Sequence, residues 1–468
     1  VKTGLPKRQA TTVFDRVSSL LNEPVNIGSL VIFRMMFGIL LAIEMFRYVL
    51  LNRVERVFPP DGMQFSYFGL SWLEPLSWPG MQIVFLVAGA AALAIACGYH
   101  FRFACIVFTS SLGYIFLLDK SAYTNHLYLS LLLSVLLTFM PAHAACSYDA
   151  KHRPIITSDT APAYCLWLLR IQFAIVFLYS SIARLDPDWI LALGSAPSWL
   201  ASSLDSLSSI GIHVSNRYQI YAIYWALVLN DFLIFLGLIY RPLRLFTVSL
   251  ICATYITKAL FFDLGIAPWL MISSSLLFLR PDWPHRFRRL WPAFDERLLP
   301  KMLRQEHRGF KIFVLCGMAT YLCLQIIIPI RHLSYPAELD WSREASRFSW
   351  GIKERNQEVD IKFSVEIAGQ EERTPINLAQ YLSKHQIRAL NTWPDLVADF
   401  AQQLRMTLER QGKEVTGVYA LAVRKDLEGN RQLLLNPNTN LLELKLSRFL
   451  KIPWEKQISN NSWESPSF

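Results

Sequence analysis

Asn125 and His126 stand in "LDKSAYTNHLYL" at the start of one apolar run, and Arg184 stands in "SSIARLDPDW" where another stops, with Trp189 just beyond it. An imidazole, an amide and a cation beside an aromatic wall are the parts of a proton-abstraction site at the lip of a bilayer: a base, a partner for the oxyanion, and a surface that excludes water. Lys258 follows Tyr255 by three residues in a further apolar run. Residues three apart share a helix face, so the two point together and offer a base if that face meets the same cavity. Plainer readings stand beside these. His126 can be an interfacial histidine, Lys258 can snorkel to the membrane surface, and Arg184 can pair with Asp186 or Asp188 at its helix end.

An arginine keeps its proton in proteins, so Arg184 can bind an anion bidentately but cannot act as a base. The nine histidines form no HExxH or HxxxH pair and the seven cysteines no CxxC; GxSxG and phosphate-loop glycine patterns are absent as well. These absences argue against metal and hydrolase chemistry, so cofactor chemistry, where there is any, is expected to be organic.

The elements that must position these residues are membrane helices. The chain of 468 residues is 53% hydrophobic and only 18% charged, with a mean hydropathy of +0.28, too apolar for an ordinary soluble globule. A bilayer core takes about twenty apolar residues per helix. Nine runs are candidates: Ser29 to Leu51, Met81 to Gly98, Phe101 to Leu118, Leu127 to Ala145, Ala163 to Ile182, Gln219 to Tyr240, Leu243 to Phe261, Ile266 to Leu279 and Phe310 to Ile330, the eighth being short enough to be tilted or re-entrant. The start of the chain has no apolar core of signal-peptide type, so the first run is expected to direct insertion.

The net charge of +10 lies largely in short loops, where it orients helices, and nucleic-acid binding is not expected. Arg280 to Arg308 holds eight Lys or Arg against four acids, a cytoplasmic signature. Counting back from it puts Arg241, Arg244, Lys151, Arg153, Arg102 and the basic N-terminus on the same side. The opposite side receives "LDKSAYTNHLYL", "SSIARLDPDW", "TKALFFDLG" and the tail. Ionisable residues within spans are costly, and Arg34, Glu44, Arg170, Gln172, Asn230, Asp231 and Lys258 are read as helix-to-helix pairs or site residues. In the tail, "EVDIKFSVEI" alternates as a strand, "PDLVADFAQQLRMTLERQ" is helical after a break at Pro394, and "EVTGVYALAVRKDLEGNRQLLL" reads as two strands joined at Gly429-Asn430. The expectation is an α-helical polytopic membrane protein of about nine transmembrane helices with a C-terminal α+β or β-rich extramembrane domain. Its parts are a cytoplasmic segment 1–28, a transmembrane domain 29–330 and an outer domain 331–468, set in the plasma (inner) membrane.

Four stretches carry a resemblance. "LDKSAYTNHLYLSLLLSVLLTFMPAHAACSYDA" is similar to the Asn-His-Tyr-Leu segment of the vitamin K-dependent γ-glutamyl carboxylase family and its bacterial relatives, which share the HTTM transmembrane module. "LWLLRIQFAIVFLYSSIARLDPDW" resembles the segment that ends in a Lys-Leu-Asx-x-Asp-Trp run, "ALFFDLGIAPWLM" the Phe-x-Ile-Gly-x-Phe-Pro-Trp stretch, and "YPAELDWSREASRFSW" the Trp-Thr-x-Glu-Gly-His-Arg-Phe-Ser-Trp segment. The resemblance runs from about Pro24 to Asn440. It implies a membrane enzyme that oxidises reduced vitamin K, or a related quinol, with oxygen and uses the base so generated to take a γ-proton from a peptide glutamate, to which carbon dioxide then adds. It implies catalytic roles at His126 and at the position of Arg184; Lys258, at the position of a family asparagine, is the candidate for a relocated base on the residue spacing above. Cofactor contacts fall at Asn125, Tyr255 and Trp189, and substrate contacts at Trp341, Arg347 and Trp350. The partners implied are the lipid bilayer and a glutamate-containing peptide, without metal or nucleic acid. Three departures stand out: Arg184 replaces the family's lysine, Tyr255 and Lys258 replace a histidine and an asparagine, and Ala345-Ser346 replaces Gly-His. An HTTM protein that binds a quinone or lipid without catalysis, or serves as an assembly factor, is the alternative.

Overall fold

The structure is a computed structural model, and it describes residues 13–59, 62–184, 217–261, 264–284, 308–330, 347–350, 358–393, 395–425, 431–435 and 437–443. Its long helices are α1 (Gly28–Leu50), α2 (Gly80–Cys97), α3 (Phe101–Leu118), α4 (Asn125–Phe139), α5 (Ala163–Arg184), α6 (Arg217–Ile239), α7 (Arg244–Phe261), α8 (Ala267–Ser275) and α9 (Arg308–Ile330). Among the described residues, six of these (α1, α2, α3, α5, α7 and α9) are long and apolar enough to cross a membrane, and α4, α6 and α8 carry shorter apolar stretches. Ile83 and Leu86 on α2, Phe103 on α3, Leu233 on α6, Phe246 on α7 and Phe313 on α9 are exposed. An apolar surface of that extent suits lipid and not water.

Small residues let the first two helices meet closely. A Cβ at Gly38 would stand 2.6 Å from the Ala92 carbonyl oxygen and the Ala96 nitrogen, so the α1–α2 contact is backbone against backbone, as in other membrane helix pairs.

The two buried arginines of the apolar helices, Arg34 and Arg170, bind carbonyls instead of aspartates. Arg34, fully buried, donates from Nη1 to the carbonyls of Ala142 (3.0 Å) and Ala145 (3.3 Å) and from Nη2 to that of Cys146 (2.7 Å). Arg170 donates from Nε to Leu277 O at 2.7 Å and from Nη2 to Leu279 O at 3.1 Å. This accounts for a difference from expectation: α4 ends at Phe139, and the segment expected to continue it turns to present its carbonyls to Arg34. At the same far face, β1 (Pro24–Asn26) pairs antiparallel with β2 (Thr160–Pro162), clipping the entry of α1 to that of α5.

The second domain is a four-stranded antiparallel sheet of order β4-β3-β5-β6, with β3 Glu358–Ile367, β4 Thr374–Ile376, β5 Val415–Lys425 and β6 Arg431–Leu435. Helices α10 (Lys384–Thr392) and α11 (Asp395–Arg410) supply the rest of its core. Phe363 of β3 meets Phe400 of α11 edge to face at 4.8 Å. The strand and helix patterns of the tail appear where expected. Pro394 and the Gly429-Asn430 turn lie outside the described residues. α10 and β4 were not anticipated, although Ser383 and Gln386 form a capping box at the start of α10.

The domain sits on the face opposite to the β1–β2 ribbon and exchanges aromatic residues with the helices. Phe65, from the α1–α2 connection, is buried in the core of the second domain, and Trp350 is buried in the core of the helical one. Gln386 Nε2 donates to Met63 O (2.6 Å) and Gln403 Nε2 to Gln64 O (2.5 Å). At the centre, one oxygen of buried Asp395 receives Arg347 Nη1 at 2.6 Å and Lys120 Nζ at 2.8 Å, and Lys120 also pairs with Asp399.

Two outcomes are expected. Arg34→Met removes three charge-assisted bonds and should cost about 2–4 kcal/mol, seen as a lower thermal transition in detergent. Asp395→Asn leaves Arg347 without its counter-charge and Lys120 with Asp399 alone, and should cost about 3–5 kcal/mol, read as a fall in the same transition and as easier proteolytic release of the second domain. The wild-type docking should hold over a bounded pH range. Burial opposes ionisation of Asp395, but Arg347 and Lys120 outweigh it and hold the carboxyl below its ordinary value. Its contribution is therefore present above the ordinary carboxylate pKa of about 3.9 and is lost as pH falls through the lowered one. Burial opposes the charge on Lys120, but Asp395 and Asp399 hold it above its ordinary 10.5, so that contribution is full below 10.5 and is lost as pH rises through the raised value.

Candidate functional site

The docking face of α4 begins at Asn125, and a relay fixes it. The Phe348 backbone N–H donates to Tyr123 Oη at 2.8 Å, and the Tyr123 hydroxyl donates to Asn125 Oδ1 at 2.9 Å. Asn125 therefore spends its acceptor on the relay and keeps its amide N–H groups for another partner. His126 follows, half-buried, and its carbonyl accepts from Ser130 Oγ at 2.8 Å.

Aromatic rings wall this helix end. Trp350 stacks on Tyr128 at 4.9 Å and 27°, and Phe348 stands edge-on to Tyr128 (4.9 Å) and Tyr123 (5.1 Å). Arg347 lies over the Trp393 ring at 4.3 Å while holding Asp395. Burial and ring contact exclude water here, and the buried Trp350 Nε1 has no hydrogen-bond partner. Phe348 and Trp350 take φ of 63° and 60°. Left-handed backbone at bulky residues costs of order 1–3 kcal/mol each. The surrounding rings hold the segment in that form, which is what lets both side chains turn down onto α4.

An ion pair between half-buried Arg47 and buried Glu44 flanks the site. Arg47 Nη2 lies 3.0 Å and 2.7 Å from the two oxygens of Glu44, near the docking end of α1, and Arg47 is within electrostatic range of His126. Gly265, in the turn before α8, has φ +57° and comes so close that a Cβ would stand 2.8 Å from Arg47 Nη2. Gly265 thus packs on this pair.

Asn125, Arg347 and Trp350 are brought together, with His126 beside Asn125 on the same helix end. Tyr255 and Lys258 do point together, Lys258 Nζ lying 4.8 Å from the Tyr255 ring centroid, and Tyr255 meets Phe177 of α5 edge-on at 6.4 Å. Arg184 is the last residue of α5; its side chain, Trp189 and Trp341 lie outside the described residues. Sequence reasoning passed over Tyr123, Tyr128, Phe348 and Arg47. The signal for Arg47 was its spacing of three from Glu44; the other three were hidden among the many aromatics of a membrane chain. No group of metal-ligating side chains occurs among the described residues.

The family model of the HTTM domain matches residues 22–283, and the model described as the lumenal domain of vitamin K-dependent gamma-carboxylase matches residues 310–461. No solved structure matches the chain. The first match takes in the helices that carry Asn125, His126 and Arg47, and the second takes in the segment that lays Phe348 and Trp350 upon them. With one model covering more than half of the chain and the other most of the remainder, this protein belongs to the vitamin K-dependent gamma-carboxylase family.

Proposed function

We propose that this protein is a membrane enzyme that couples oxidation of reduced vitamin K, or a related quinol, to carboxylation of glutamate in a peptide. The observation that carries the reading is the closure of the Asn125–His126 helix end by Phe348 and Trp350 of the second domain. A flat aromatic diol asks for ring walls and for hydrogen-bond partners at its oxygens. Tyr128, Phe348 and Trp350 offer the walls, and the Trp350 indole N–H and the Asn125 amide are donors not committed elsewhere, so the residues present fit such a group.

Reduced vitamin K, when bound, supplies the electrons that oxygen takes up and the strong base that carboxylation needs. The chain supplies the rest. Asn125 Nδ2 orients a hydroxyl, an imidazole nitrogen of His126 accepts a proton, and the Arg47 cation stabilises the anion formed beside it. Arg184 keeps its proton and can hold an oxyanion or a carboxylate. The base that the family's lysine provides falls to His126 or Lys258. Arg347, Trp350 and Trp341 belong to the segment that receives the peptide. In the same reading the helices lie in the plasma membrane with the N-terminus cytoplasmic and the second domain outside, in keeping with the lumenal description of its family model.

Purified protein given reduced vitamin K, labelled bicarbonate and a glutamyl peptide should incorporate label only when quinol and oxygen are both present. His126→Ala should lower that incorporation by about 100-fold, with the thermal transition kept. Arg184 in the lysine position favours a second reading, a quinone- or lipid-binding protein without carboxylation. Quinol binding without incorporation would select it. Reporter fusions after Arg289 and after Phe468 should report opposite sides of the membrane; the same side for both would overturn the topology.

A further inference from the structure

The seam between α5 and α9 holds two buried amide groups that the site above does not use. Gln172 on α5 is fully buried; its Oε1 accepts from the Tyr321 hydroxyl of α9 at 2.7 Å, and its Nε2 has no hydrogen-bond partner. Gln325, one turn beyond Tyr321, is also buried, and its Oε1 has no partner.

One face of α9 is exposed at Phe313, Leu324, Ile326 and Ile327, while Met318, Tyr321 and Leu322 pack against the helical core. A hidden glutamine on such a helix looks into the bundle, and residues four apart share a face, so Gln325 lies along the seam that Tyr321 opens. Two turns along α5 from Gln172, Tyr179 Oη donates to Ile326 O at 2.9 Å and closes the seam. An unused donor and an unused acceptor thus lie at a seam bounded by two hydrogen-bonded rungs, in surroundings where unpaired polar groups are costly. Tyr321 packs against the core that contains Tyr128, the ring on which Trp350 stacks.

We propose that this seam is a binding site for the head of a lipid-soluble quinol on its way from the bilayer to the aromatic end of α4. Gln172 Nε2 donates to one hydroxyl oxygen, and Gln325 Oε1 accepts from a hydroxyl. A quinol satisfies both amides because its oxygens accept and donate, whereas a quinone, which only accepts, satisfies Gln172 alone. The choice of ligand rests on the quinol reading above; the site rests on the two amides.

The test uses the full chain in phosphatidylcholine nanodiscs with a photoactivatable phylloquinone analogue reduced to its quinol, and labelled peptides are mapped by mass spectrometry. Labelling should fall on residues 172–179 of α5 and 321–326 of α9 and be competed away by unlabelled quinol. Gln325→Leu, which breaks no existing bond, should lower that seam labelling about ten-fold without lowering the thermal transition, and should leave labelling by the quinone form unchanged. A double variant, Gln172→Leu with Tyr321→Phe, leaves no hydroxyl orphaned and should lower labelling by both forms. Seam labelling that Gln325→Leu leaves intact, or competed labelling confined to residues 123–128 and 348–350, would overturn the seam and leave the quinol reading standing. Labelling that unlabelled quinol does not compete anywhere would overturn both.

Discussion

Asp395 is a single carboxylate on which two cations from different parts of the chain converge, and the architecture around it follows from satisfying that charge. Lys120 comes from the loop that leads into α4, and Arg347 from the segment that enters the second domain. Each cation would be expensive to bury alone, and so would the carboxylate. Together they hold three pieces in register: the start of α11, the α3–α4 connection and the turn bearing Phe348 and Trp350. Gln386 reinforces the same junction by reaching both Met63 O and Asp119 Oδ2.

The site inherits its geometry from this junction. Once Arg347 is fixed, the next three residues have little freedom, and the left-handed backbone at Phe348 and Trp350 becomes tolerable because rings on both sides hold it. The Phe348 N–H then selects the orientation of the Tyr123 hydroxyl, and through it that of the Asn125 amide. A buried ion pair thus governs the direction of a hydrogen-bond donor two steps away, without touching it.

Much of this was legible in the sequence. The helices could be located because a run of about twenty apolar residues has few other uses, and β3, α11, β5 and β6 could be located because their periods of 2 and 3.6 are undisturbed. Asn125 and His126 could be singled out by type and position. The partners of the buried charges could not, because they are distant in the chain and partly backbone. Nothing in the local pattern around Arg34 says that its guanidinium will gather three carbonyls from residues 142–146. Nor does any pattern announce that Phe65, in a loop between two membrane helices, belongs to the core of a domain some three hundred residues further on.

That exchange of aromatics has a consequence for biosynthesis. A ribosome adding about 5–20 residues per second releases Phe65 well before β3, α11 and β5 exist. For that interval a large apolar ring waits at the membrane surface, and the second domain, when it emerges, has a gap in its core that only the waiting loop fills. The helical bundle therefore acts as a template for its own companion, and the second domain produced alone would be a folding intermediate with an open seat, a natural client for a chaperone.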